Sequence, residues 1–93
     1  LETVVERKEV VVKFMGVLRD TAGPEMVVTI KDNSRISDVL QDVQKRLEPL
    51  MDKNLLSKIL RYSRLVLNGV YAPDEAEVKP GDVLMIISPA AGG

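Results

Sequence analysis

The chain has 93 residues, 13 Lys plus Arg against 14 Asp plus Glu, and neither Cys nor His. Without those two residue types there is no thiol nucleophile, no histidine base, no disulfide framework and no Cys/His zinc site. A formal charge of −1 and only three aromatic residues, Phe14, Tyr62 and Tyr71, argue against a nucleic-acid partner, which needs cationic contacts or stacking platforms.

The length suits one small domain, too thin to hold a deep substrate cleft. The longest apolar run, Val83 to Ile87, is far too short to cross a bilayer, so no membrane partner is expected. Leu1-Glu2-Thr3 lacks the basic and apolar regions of a signal peptide, so a soluble, cytoplasmic protein is expected, and a first residue other than Met suggests a processed, trimmed or engineered N-terminus.

Residues 1–9 are charge-rich and are expected to form a flexible extension. Val10 to Met15 is a β-branched and aromatic run that predicts a strand, with Val10, Val12 and Phe14 facing the core and Val11, Lys13 and Met15 facing out. Gly16 to Pro24 reads as a loop, and Met26 to Ile30 as the antiparallel partner that completes a hairpin. Lys31-Asp32-Asn33-Ser34 is turn-like and supplies candidate N-caps for a helix. In that helix Ile36, Val39, Leu40, Val43 and Leu47 recur at helical spacing, and Pro49 sets Glu48 as its last residue. Leu50, Met51, Leu55, Leu56, Ile59 and Leu60 carry the apolar pattern through a second, shorter helix covering an open edge of the core.

Leu65-Val66-Leu67, Asn68-Gly69 and Val70-Tyr71 read as a strand, a type I′ turn and a short return strand. Lys79-Pro80-Gly81-Asp82 is a turn feeding Val83 to Ile87, a strand apolar on both faces and so expected at the centre of a sheet. This order predicts an α+β domain over residues 10–87: a β-grasp, ubiquitin-like arrangement in which a mixed sheet of about five strands carries one main helix on one face.

Residues 88–93, Ser88-Pro89-Ala90-Ala91-Gly92-Gly93, read as a flexible tail leaving directly from that central strand. A Gly-Gly end has no Cβ atoms and can enter a narrow channel, where another protein's groups reach its backbone. The reactive group there is the Gly93 carboxylate, a poor acyl donor until it is coupled to AMP. The chain has no phosphate-binding Gly-x-x-x-x-Gly-Lys-Ser/Thr loop, so it is expected to be a substrate or carrier for an activating enzyme, with no catalytic residue of its own.

Val17-Leu18-Arg19-Asp20, Ile36-Ser37-Asp38-Val39-Leu40, Val66-Leu67-Asn68-Gly69, Lys79-Pro80-Gly81-Asp82-Val83 and terminal Gly92-Gly93 occur here in one order and spacing. In these features the chain from Val10 to Gly93 resembles the small, sulfur-carrying subunit of molybdopterin synthase and the β-grasp sulfur carriers generally. The resemblance implies that Gly93 becomes an acyl adenylate and then a thiocarboxylate. It implies that Pro89, Ala90, Ala91 and Gly92 lie in a partner's active site while the sulfur is donated for molybdenum-cofactor biosynthesis. The implied partners are a ubiquitin-activating-type adenylyltransferase, which uses ATP, and the catalytic large subunit of molybdopterin synthase. No cofactor is expected on this chain. Family members commonly carry two prolines before the final segment, where Ser88-Pro89-Ala90-Ala91 has one, and the segment from Pro49 to Tyr62 is long for a thiamin-pathway carrier. The alternatives are a ubiquitin-like modifier joined through Gly93 to target lysines, and a carrier of the thiamin or tRNA-thiolation type.

If Leu65, Leu67, Leu84 and Ile86 point inward, Val11, Met15, Val66, Met85 and Ile87 form an apolar outer face. Such a face is a docking patch, or else core if the register is displaced by one residue. Arg19, the pair Asp38/Asp42 and the pair Asp74/Glu75 read as solvated surface charges with no convergent third group.

Overall fold

The computed structural model describes residues 7–89. Two strands open the fold, β1 (Glu9–Met15) and β2 (Glu25–Thr29), paired antiparallel with Val11 opposite Val27. β1 starts one residue before the predicted strand, inside the expected extension, and the carbonyls of Lys8 and Glu9 accept hydrogen bonds from Ile30 and Gly81. The predicted loop between the strands instead contains a short helix, α1 (Val17–Ala22), whose Leu18 is fully buried.

The main helix α2 (Ile36–Leu47) buries Ile36, Val39, Val43 and Leu47, the stripe its spacing predicts, with Leu40 half-buried. Its N-cap is Arg35, not a residue of the preceding turn. The Asp38 carboxylate accepts from the Arg35 amide at 2.8 Å, and the next two amides, Ile36 and Ser37, donate to the carbonyls of Ala76 and Asp74. Ser34 serves the turn itself, accepting from the Lys31 amide. α2 ends at Leu47, and Glu48–Leu50 form a single 3₁₀ turn.

Helix α3 (Lys53–Tyr62) is capped by Asp52, whose carboxylate accepts from the Leu55 amide at 2.9 Å. It closes the core with Leu56, Ile59 and Leu60, and Gln44 on α2 donates to Ser57 at 2.8 Å. Leu50 and Leu55, which the apolar pattern included, are 61% and 50% exposed. That pattern marks one side of a helix, and the 3₁₀ turn rotates Leu50 away from it.

Strands β3 (Arg64–Leu67) and β4 (Val70–Tyr71) flank Asn68 and Gly69, whose φ angles of 50° and 86° are those the predicted turn requires. Asn68 also reaches across to the last strand, β5 (Val83–Ile87): its carbonyl oxygen accepts from the Val83 amide at 2.8 Å and its amide donates to Asp82 at 3.0 Å. The sheet order is β2-β1-β5-β3-β4, with β5 parallel to β1 and antiparallel to β3. β5 is therefore central, as a strand apolar on both faces should be, and Leu84 and Ile86 are wholly buried. Each contributes about 2 kcal/mol of burial. A mixed five-stranded sheet with α2 across one face is the β-grasp arrangement.

Candidate functional site

The parallel pairing of β5 with β1 sets Ile87 beside Met15, so both strands end together and the chain leaves β5 next to the start of α1. Ser88, assigned to the tail from the sequence, is only 5% exposed here. Its amide and its hydroxyl both donate to the Met15 carbonyl at 2.8 Å, and its hydroxyl oxygen accepts from the Leu18 amide at 3.0 Å. The Pro89 carbonyl accepts from the Val17 amide at 3.4 Å. Ala90, Ala91, Gly92 and Gly93 lie outside the described residues.

Gly16 makes this contact possible. A Cβ there would overlap the Ser88 carbonyl oxygen and stand 2.6 Å from its hydroxyl, and the glycine holds φ +90° and ψ −153°, a region essentially closed to other residues. Neither Gly16 nor Ser88 was singled out by sequence reasoning. The available signals were a glycine ending the first strand and a serine ending an apolar run, both common.

Val11, Met15, Val66, Met85 and Ile87 stand on the sheet face opposite the helices. Met85 is level with Lys13 on one side and Val66 on the other, and Ile87 with Met15 and Arg64. All are partly or largely exposed, and the partly buried Leu65 and Leu67 pack inward against the core, so the register is the one that leaves these side chains outside. Val27, Val83 and Tyr71 extend the same face. Arg19 is exposed and borders an open depression of about 280 Å³ with Lys13, Met15 and Met85, beside the tail root.

The acidic pairs are not a site. Asp38 caps α2, and with Asp32 and Asp42 it borders an open depression of about 320 Å³. Among the described residues no three His, Cys, Asp or Glu side chains are grouped to hold a metal ion. Lys8, at the far end of β1, holds the Asp32 carboxyl below its usual range through a 2.6 Å hydrogen bond and its charge. Among the described residues no helix is long and apolar enough to cross a membrane.

A family model described as the ThiS family matches residues 12–93. The chain belongs to the ThiS family. Solved structures with the same fold as this ThiS-family chain include a putative molybdopterin converting factor subunit 1 from Pyrococcus furiosus. It is 22% identical, with 88% of this chain and 98% of that one covered at a TM-score of 0.66. SAMP1 from Haloferax volcanii is 19% identical, with 91% and 99% covered at a TM-score of 0.71. Subunits 1 and 2 of the molybdopterin-converting factor from Helicobacter pylori 26695 form a complex in which the matched chain is 23% identical, with 91% and 99% covered at 0.52. No curated protein matches this ThiS-family chain.

Proposed function

We propose that this chain is a sulfur carrier whose Gly93 carboxylate is the working group, serving as the small subunit of molybdopterin synthase. In the first step a carboxylate oxygen attacks the α-phosphorus of ATP and pyrophosphate leaves, giving the acyl adenylate. A sulfide-equivalent nucleophile then adds to the carbonyl and AMP departs, leaving the thiocarboxylate. Catalysis of both steps belongs to an adenylyltransferase, and the later transfer of sulfur to a pterin precursor belongs to a large synthase subunit. The observation that carries the reading is the ThiS-family match running through Gly92-Gly93, on a chain whose last strand is central to the sheet.

The apolar sheet face around Met85 gives both partners a surface to dock on, next to the point where the tail leaves. A protein complex of subunits 1 and 2 among the structural neighbours supports a large-subunit partner. The fold shared with small archaeal modifier protein 1 from Methanosarcina acetivorans, 22% identical at a TM-score of 0.70, favours a second reading, a modifier joined through Gly93 to lysine amines.

Intact mass after incubation with ATP, a sulfur source and the organism's adenylyltransferase tests the first reading. The expected result is exchange of one carboxyl oxygen for sulfur, mapped to Gly93. Lysine-linked conjugates with no thiocarboxylate would favour the modifier instead.

A further inference from the structure

A helix leaves its first amides without intrahelical partners, and a side chain at the N-cap usually takes one of them. The N-cap of α1 is Gly16, which has no side chain to offer. The missing acceptor comes from Ser88, 70 residues beyond Leu18: its hydroxyl takes the Leu18 amide, the Pro89 carbonyl takes the Val17 amide, and the Gly16 carbonyl takes the Arg19 amide. One hydroxyl proton and one lone pair are thus both in use, on Met15 and Leu18, by a side chain that is itself buried. The close approach requires glycine at 16, so the cap and the tail root fit only each other.

We propose that Ser88 is the positioning residue of the tail, a cap supplied from a distance that makes the end of β5, α1 and the first tail residue one rigid unit. The chain past Pro89 then starts from a fixed point, at a fixed heading beside the apolar sheet face. The inference rests on the carrier reading in one respect: the beneficiary is a partner active site that must receive Gly93. Without the hydroxyl, Ser88 keeps its amide bond to the Met15 carbonyl but the Leu18 amide loses its acceptor, and the partner would have to order Pro89 as well on binding. Ordering about one extra residue raises the apparent KM about tenfold and leaves kcat nearly unchanged, because the bound geometry is set by the partner.

The chain has no cysteine, so Ala91→Cys and Lys45→Cys create a unique pair of spin-label sites on the 93-residue chain. The distance distribution between them is expected to broaden when Ser88→Ala is added. The Leu18 amide, protected like a strand amide in the parent, is expected to exchange at least about tenfold faster in Ser88→Ala. In adenylation assays KM is expected to rise about tenfold with kcat unchanged. Val43→Ala, a core cavity remote from the tail, is expected to lower stability and leave the label distances and KM as they were.

An unchanged distance distribution and KM in Ser88→Ala would overturn the proposal, as would the same broadening in Val43→Ala. If Ser88→Ala does not fold, the parent decides: a Leu18 amide exchanging as fast as an uncapped first-turn amide overturns it. If an active adenylyltransferase leaves even the parent unmodified, the carrier reading fails, and the label and exchange measurements still decide the role of Ser88.

Discussion

Two glycines flank α1 in nearly the same backbone conformation, Gly16 at φ +90°, ψ −153° and Gly23 at φ +84°, ψ −177°. They differ in what surrounds them: a Cβ on Gly16 meets Ser88, and a Cβ on Gly23 meets nothing within 4 Å. Replacing each with alanine therefore separates backbone strain from the loss of the Ser88 contact. Gly23→Ala should cost about 1–3 kcal/mol, the usual strain of an L-residue in that region. Gly16→Ala carries the same strain and also drives Ser88 away, leaving the buried Leu18 amide unpaired at a further cost of about 1–3 kcal/mol. The difference between the variants is thus about 2 kcal/mol, a large share of the roughly 5–15 kcal/mol that stabilises a small domain. At about 4–8 °C per kcal/mol for a chain of this size, Gly16→Ala should melt roughly 10 °C below Gly23→Ala. Thermal and urea unfolding followed by circular dichroism reads both numbers. Equal losses in the two variants would mean that the Ser88 contact contributes nothing, and the account of the tail root would fall with it.

Leu84→Ala, in the middle of the central strand, should cost about 2–5 kcal/mol, and Leu50→Ala, on the exposed 3₁₀ turn, less than about 0.5 kcal/mol, both by urea midpoint. Deleting Gly92-Gly93 should abolish adenylation and leave the melting temperature unchanged, since among the described residues every buried hydrophobic side chain lies between Val10 and Ile86 and the Ser88 contact is left in place. Met85→Glu sets a carboxylate beside Lys13 on the outer sheet face and should fold normally while weakening capture by the adenylyltransferase at least tenfold, about 1.4 kcal/mol, in a binding titration. The Asp32 carboxyl, lowered by Lys8, contributes stability that is present above its unfolded-state pKa and lost as the pH falls through its lower folded-state value. In a carbon-detected NMR titration Lys8→Ala should return that carboxyl to the usual range, and an unmoved midpoint would contradict the pairing.

What could be read directly from the sequence was whatever a repeating pattern encodes. The apolar spacing from Ile36 to Leu47 specifies α2, the alternation from Val10 to Phe14 specifies which face of β1 is buried, and the two-sided apolar run of Val83 to Ile87 specifies a central strand. These patterns also set the sheet register, and with it the outward face of Val11, Met15, Val66, Met85 and Ile87, because a one-residue slip would turn buried leucines toward water. The terminal glycines stand out as a candidate site for the same reason, being legible without any neighbour, and they lie outside the described residues.

Features that depend on partners distant in the chain were not legible. α1 spans six residues and buries one of them, Leu18, too little periodicity to mark a helix, and its first amides are satisfied by Ser88 and Pro89 at the other end of the sequence. Arg35 begins α2 only because the carbonyls of Asp74 and Ala76 receive the helix's leading amides. Leu50 and Leu55 continue an apolar pattern, and their exposure is decided by the 3₁₀ turn and the seating of α3 on α2. The sequence by itself determined the sheet and the main helix. Tertiary structure alone decided how the tail is held, because a hydrogen bond between Leu18 and Ser88 exists only once β1 and β5 lie side by side.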